Sequence, residues 1–154
     1  MNKNKLNHVA FILDGNKRWA EKNNKASING YKKGFDKIIE IVDYSIKIQL
    51  SDLTLFTLSS ENINRSSVNI IYEIIYNNFA SLLDQIIKKN NIKINIIWNR
   101  KNLPEKIIKI FNDAESATSD NKNLCLNLAF NYGFKEEIKD VLRKFKNNVD
   151  AINI

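Results

Sequence analysis

The chain has 154 residues and carries 24 Lys and Arg against 17 Asp and Glu, a formal net charge of +7. A hydrophobic share of 44% beside 27% charged residues supplies a packed core and excludes a disordered chain, while four Gly and one Pro exclude collagen-like and proline-rich classes. This length predicts one domain over residues 1–154, and the lone Cys125 excludes an internal disulfide framework, which favours a reducing, cytoplasmic setting.

The opening MNKNKLNH has no apolar run of the signal-peptide kind behind it. The compact apolar stretch His8 to Leu13 predicts a strand, ended by the turn residues Asp14-Gly15-Asn16. Phe35, Ile38, Ile39, Val42 and Ile46 recur at helical spacing and predict a helix from about Tyr31 to Ile48. Leu53 to Leu58 reads as a second strand closed by Ser59-Ser60-Glu61-Asn62. A stripe from Val68 through Ile86 predicts a long helix to about Asn90, too often interrupted by polar residues to cross a bilayer. Ile92 to Trp98 forms a third strand, and Leu103-Pro104-Glu105 opens a helix with proline in a tolerated first-turn position. Leu124, Leu126 and Leu128 alternate as a fourth strand, and Lys135 to Lys146 is the last helix.

Strands alternating with crossover helices imply an α/β fold with a mainly parallel sheet. Ligands in such a sheet sit beyond the carboxyl ends of the strands. The loops after strands one, two and four are therefore expected to meet at one mouth. Asp14 there places a carboxylate in a tight turn, with Lys17 and Arg18 adding positive charge. That combination suits a diphosphate, bridged to Asp14 by Mg²⁺; an Asp that merely caps a helix is the competing reading. Ser59-Ser60-Glu61-Asn62 is equally open between ligand binding and helix capping. The first 40 residues hold nine Lys and Arg against four acids, which places an anionic partner near the N-terminal third. No P-loop or dinucleotide fingerprint is present, and His8, the only histidine, lies at a strand start where a structural role is expected. The absence of an RNA-binding motif or aromatic platform argues against a nucleic-acid partner.

His8-Val9-Ala10-Phe11-Ile12-Leu13-Asp14-Gly15-Asn16-Lys17-Arg18-Trp19-Ala20 closely resembles the opening signature of the cis-prenyltransferases, the undecaprenyl diphosphate synthase family. Leu53 to Arg65, ending S-S-E-N-I-N-R, resembles that family's second signature, and Leu126 to Gly133 its third. The resemblance implies condensation of isopentenyl diphosphate onto an allylic diphosphate, typically farnesyl diphosphate, to build a polyprenyl diphosphate carrier lipid with Mg²⁺ as cofactor.

By position, the resemblance makes Asp14 the essential carboxylate that handles Mg²⁺ and Asn62 the residue that helps remove the proton. Gly15, Asn16, Lys17 and Arg18 would cradle the allylic diphosphate, with Trp19 bordering that site. Ser27 and Tyr31 take positions often held by Arg and His in the first substrate site. Ser59, Ser60, Glu61, Ile63 and Arg65 would line the same pocket, Ile63 standing where the family commonly has Trp. The apolar faces of the helices at Tyr31 and Val68 are the expected tunnel walls.

Lys17 replaces a frequent glycine, Trp98-Asn99 replaces Gly-Asp, and Phe134-Lys135 replaces Gly-Arg. The family continues well past Ile154, into a segment carrying an Arg-x-Ser motif for isopentenyl diphosphate, a Glu for Mg²⁺ and part of a homodimer interface. The expected form is thus a C-terminally truncated member with an unpaired sheet edge and exposed apolar surface. The alternative is a non-catalytic remnant that binds prenyl diphosphate or a partner chain. Membrane contact is expected to be peripheral, at the inner face, through product release.

Overall fold

The computed structural model describes residues 6–61, 68–79, 92–101 and 103–145. The order of elements is β1 (His8–Ile12), α1 (Asn16–Lys22), α2 (Ser27–Lys47), β2 (Asp52–Ser59), α3 (Val68–Ile74) running into a π-helical turn (Ile75–Phe79), β3 (Ile92–Trp98), α4 (Glu105–Ala117), β4 (Leu124–Tyr132) and α5 (Phe134–Phe145). All four strands are parallel, in the order β1-β2-β4-β3. The expected α/β architecture is therefore present, with the last strand inserted at the centre of the sheet. The part of the predicted long helix beyond residue 79 lies outside the described residues.

Register sorts the strands into two faces. Val9, Leu53, Leu126 and Ile94 stand in one row, and Phe11, Leu55, Leu128 and Ile96 in the next row on the same side. Helices α2, α3 and α4 add Ile38, Val42, Ile75, Ile107 and Phe111 to the core that these rows begin. Each of these helices hides an apolar stripe that water would otherwise wet. Phe111 stacks edge-on against Trp98 and Phe130, with centroids 5.4 and 5.0 Å apart, a geometry that aromatic quadrupoles favour.

Two departures from the sequence reading concern α1 and α2. Asn16–Lys22 is a helix of its own, and α2 begins at Ser27 rather than near Tyr31. Their contact is closer than side chains normally permit. A Cβ on Gly30 would lie 2.0 Å from the carbonyl oxygen of Asn16, and one on Gly34 would lie 2.3 Å from its Oδ1. Glycine at both positions lets the two backbones approach.

The expected unpaired sheet edge is at β1, which has no strand beyond it among the described residues, whereas the outer edge of β3 is met by side chains. Ile94 N–H donates to Thr118 Oγ1 at 3.0 Å, Ile96 N–H donates to Glu115 Oε1 at 2.8 Å, and the carbonyl of Ile92 accepts from Asn121 Nδ2 at 2.8 Å. Side chains at the end of α4 thus take the place of a neighbouring strand, and this edge is not left unpaired. The exposed apolar surface is real and lies elsewhere: Ile12 on β1 is 78% exposed, and Phe134 on α5 is 72% exposed. Helix α5 buries none of its residues. It is tied down by Lys101, whose Nζ lies 3.0 Å from Asp140 Oδ1. No helix among the described residues is long and apolar enough to cross a membrane.

Candidate active site

The chain leaves β1 through Leu13, whose N–H donates to the carbonyl of Phe56, and turns at once, with Asp14 N–H donating to the carbonyl of Ile12. Gly15 follows at φ 95°, a left-handed conformation that costs other residues about 1 kcal/mol or more, and it serves as the N-cap of α1. No side chain caps that helix, so Asp14 is not the capping residue that one reading of the sequence allowed. Its carboxylate instead accepts from Gly15 N–H and from Arg18 Nη2, the latter at 2.8 Å. Both members of the Asp14–Arg18 pair are about three-quarters exposed. Water screens such a pair strongly, so exchanging it for a ligand costs little.

Beside this loop opens a cavity of about 670 Å³, a volume typical of small-molecule sites. Its polar rim is Asp14, Gly15, Asn16, Lys17 and Arg18 from the loop and α1, with Ser27 and Tyr31 from α2. Behind the rim the wall is apolar. Phe35 and Ile38 of α2, Ile70, Ile71 and Ile74 of α3 and Ile75 of the π-helical turn line it, so the two helices expected to form the walls do so. The sheet contributes Leu126, Leu128 and Phe130, and α4 contributes Phe111. Phe111, Thr57 and Gly34 also line the cavity and were not singled out from sequence. The stripe Ile107, Phe111, Ala114 marks the buried face of α4, the one signal that pointed to Phe111.

Other expected residues lie elsewhere. Trp19 is 37% exposed, outside the cavity, with Lys25 Nζ 5.4 Å from its ring centroid. It fails to border the site because Ala20, its neighbour on α1, is the residue turned inward. Ser59, Ser60 and Glu61 line a second depression with Phe56, Tyr132 and Gly133, separate from the cavity of Asp14 among the described residues. The loops after β2 and β4 do meet, since Ser60 N–H donates to the carbonyl of Tyr132 at 3.0 Å. The single mouth expected from sequence is therefore two depressions at the same end of the sheet. Asn62, Ile63 and Arg65 lie outside the described residues.

Two further residues take structural roles. His8 Nε2 lies 2.8 Å from Thr54 Oγ1 at the opposite end of β1, as a structural histidine should. Asn131, near the end of β4 and at φ 50°, donates from Nδ2 to the carbonyls of Asn99 and Lys101 at 2.7 and 3.1 Å, fastening the loop after β3 to β4. No group of three or more His, Cys, Asp or Glu that could hold a metal occurs among the described residues. A single exposed carboxylate beside a cationic rim fits Mg²⁺, which usually keeps its waters and borrows oxygens from a bound phosphate.

The structure thus combines a parallel sheet, one face of which is roofed by helices, with an apolar cavity that opens on an Asp-Gly-Asn-Lys-Arg rim. The family model described as "Putative undecaprenyl diphosphate synthase" matches residues 12–154. An isoprenyl transferase of Rickettsia felis is 36% identical over 141 residues, covering 90% of this chain and 60% of that protein. A farnesyl-diphosphate-specific undecaprenyl diphosphate synthase of Buchnera aphidicola is 39% identical over 145 residues, 92% of this chain and 57% of its own. The crystal structure of lavandulyl diphosphate synthase from Lavandula x intermedia, in complex with dimethylallyl diphosphate, superposes with a TM-score of 0.87 at 28% identity, covering 95% of this chain and 63% of that one. The chain belongs to the undecaprenyl diphosphate synthase family of cis-prenyltransferases, and it spans about three fifths of the length of the curated relatives it matches.

Proposed function

We propose that this single-domain chain carries the allylic-diphosphate half of a cis-prenyltransferase site, which condenses isopentenyl diphosphate onto an allylic diphosphate such as farnesyl diphosphate to make a polyprenyl diphosphate carrier lipid. The observation that carries the proposal is the apolar cavity opening on Asp14, Gly15 and Arg18. In this reading Arg18 leaves Asp14 to bind the diphosphate, and the uncapped first turn of α1 adds N–H donors. Asp14, freed from its partner, would hold Mg²⁺, which when bound would neutralise charge on the leaving diphosphate. Ser27 and Tyr31 fix the head group at the rim, and the walls of α2 and α3 keep water from the allylic fragment as positive charge develops on it. Asn62 helps remove the proton through its hydrogen bonds, a role carried over from the family's motif. Ser59, Ser60 and Glu61, which line the neighbouring depression, and Ile63 and Arg65 contribute to substrate binding, roles carried over from the family's second motif. A homodimer, a cytoplasmic location and peripheral membrane contact at the inner face complete the proposal.

The test is incorporation of radiolabelled isopentenyl diphosphate with farnesyl diphosphate and Mg²⁺, paired with calorimetry of farnesyl diphosphate binding. Extractable product means a complete site. Binding without product means the alternative role, a subunit that holds prenyl diphosphate and takes its second site from further polypeptide. The absence of both product and binding would defeat the proposal. Asp14→Ala is expected to abolish product, or to lower affinity at least about tenfold where only binding occurs, with the thermal midpoint unchanged.

A further inference from the structure

The positive charge is not spread evenly over the helices. Residues 16 to 33 contain six bases, Lys17, Arg18, Lys22, Lys25, Lys32 and Lys33, and one acid, Glu21. Residues 34 to 61 reverse this, with Lys37 and Lys47 against Asp36, Glu40, Asp43, Asp52 and Glu61. All six bases of the first stretch are exposed. The close approach of α1 to α2 at Gly30 and Gly34 brings both helices to one side of the cavity, whose rim takes Lys17 and Arg18 from the first and Ser27 and Tyr31 from the second. Lys17 has only a 3.9 Å partner in Glu21, Arg18 pairs with Asp14, and Lys25 rests on the exposed ring of Trp19. A basic ridge carrying one exposed tryptophan therefore flanks the mouth of an apolar cavity.

We infer that this α1–α2 ridge docks on an anionic lipid bilayer, with Trp19 at the headgroup level and the cavity mouth turned to the membrane. Clustered lysines sum their attraction to an anionic leaflet within a Debye length of its surface. Tryptophan prefers the interface, where its ring is half wetted. Nucleic acid is the poorer fit, because Trp19 is the only aromatic exposed among the six bases and its face is taken by Lys25. The inference gives the proposed chemistry a direction: a polyprenyl product leaves through the same mouth into lipid. It rests on the proposed function only for that last step, since docking itself requires charge and geometry alone.

The experiment is sedimentation of the full chain with vesicles of phosphatidylcholine, alone or with about 30% phosphatidylglycerol, at low salt. The wild type should bind the anionic vesicles, lose them as salt rises, and bind neutral vesicles weakly. Combined Lys22→Glu, Lys25→Glu, Lys32→Glu and Lys33→Glu should weaken partitioning at least about tenfold. The charge-matched control Lys93→Glu, Lys109→Glu, Lys122→Glu and Lys144→Glu should keep it within about twofold, and Trp19→Ser alone should weaken it about threefold. Equal loss in the two quadruple variants, no binding to anionic vesicles, or tighter binding to poly(U) RNA than to vesicles would each overturn the inference. Farnesyl diphosphate calorimetry on the same samples separates the two readings: absent binding defeats the proposed function, whatever the vesicles report.

Discussion

The two faces of the sheet have opposite fates. On one, Leu53, Leu126 and Ile94 stand abreast under α2 and α4 and are almost wholly buried. On the other, the row Ile12, Phe56, Ala129 and Ile97 is apolar, the row Ala10, Thr54, Asn127 and Asn95 below it is largely polar, and Ile12 and Ile97 remain exposed at its two ends. Parallel sheets are normally covered on both faces. The contrast teaches that, among the described residues, the cavity is lined from the helix-covered face alone, so its assembly does not depend on what covers the second face.

The sharpest way to break this comparison is at Phe111, which is 2% exposed between Trp98 and Phe130. Phe111→Ala is expected to cost about 3–5 kcal/mol in urea unfolding, because it empties the core and the end of the cavity together. Gly30→Ala should cost about 1–3 kcal/mol, since the new methyl meets the Asn16 carbonyl and has to push α1 away. It should weaken farnesyl diphosphate binding as well, which a purely structural contact would not do. Ile12→Ser, on the open face, should change stability by no more than about 0.5 kcal/mol; a loss as large as that of Phe111→Ala would mean that the open face is covered in solution.

The smallest expected effect is a pH response of α5. The Lys101 ammonium, and after it the Arg143 guanidinium, hold the Asp140 carboxyl below its ordinary value of 3.8. A carboxyl lowered in the folded state stabilises it above the ordinary range and loses that contribution as pH falls through the lowered value. The protection of α5 amides, taken relative to their intrinsic exchange rate at each pH, should therefore fall slightly as pH drops below 3.8, while that of α2 is less affected.

Most of the fold was legible because its strands are short apolar runs and its long helices carry one apolar stripe. Helix α1 was not, since Asn-Lys-Arg-Trp-Ala-Glu-Lys has no such stripe and its packing signal sits in the glycines of α2. Asp14, Gly15, Arg18, Ser27 and Tyr31 line one cavity. The displacement of Trp19 and of Ser59 to Glu61 from that cavity was not readable, because spacing along a chain does not say which side of a turn or strand a residue takes. Thr57 keeps the alternation of Leu53 and Leu55, but a bulge between Phe56 and Ser59 shifts the register there, so that Leu58 also lines the cavity while Ser59 falls in the second depression.

The side-chain bonds that Glu115, Thr118 and Asn121 make to β3 give the sheet a polarity of growth. One end is blocked to further strands and the other, at β1, is an edge without a strand beyond it among the described residues. A molecule with a single adhesive end pairs with one neighbour about a two-fold axis and then stops. Self-association through strand pairing would end at a closed pair and never extend into a fibre.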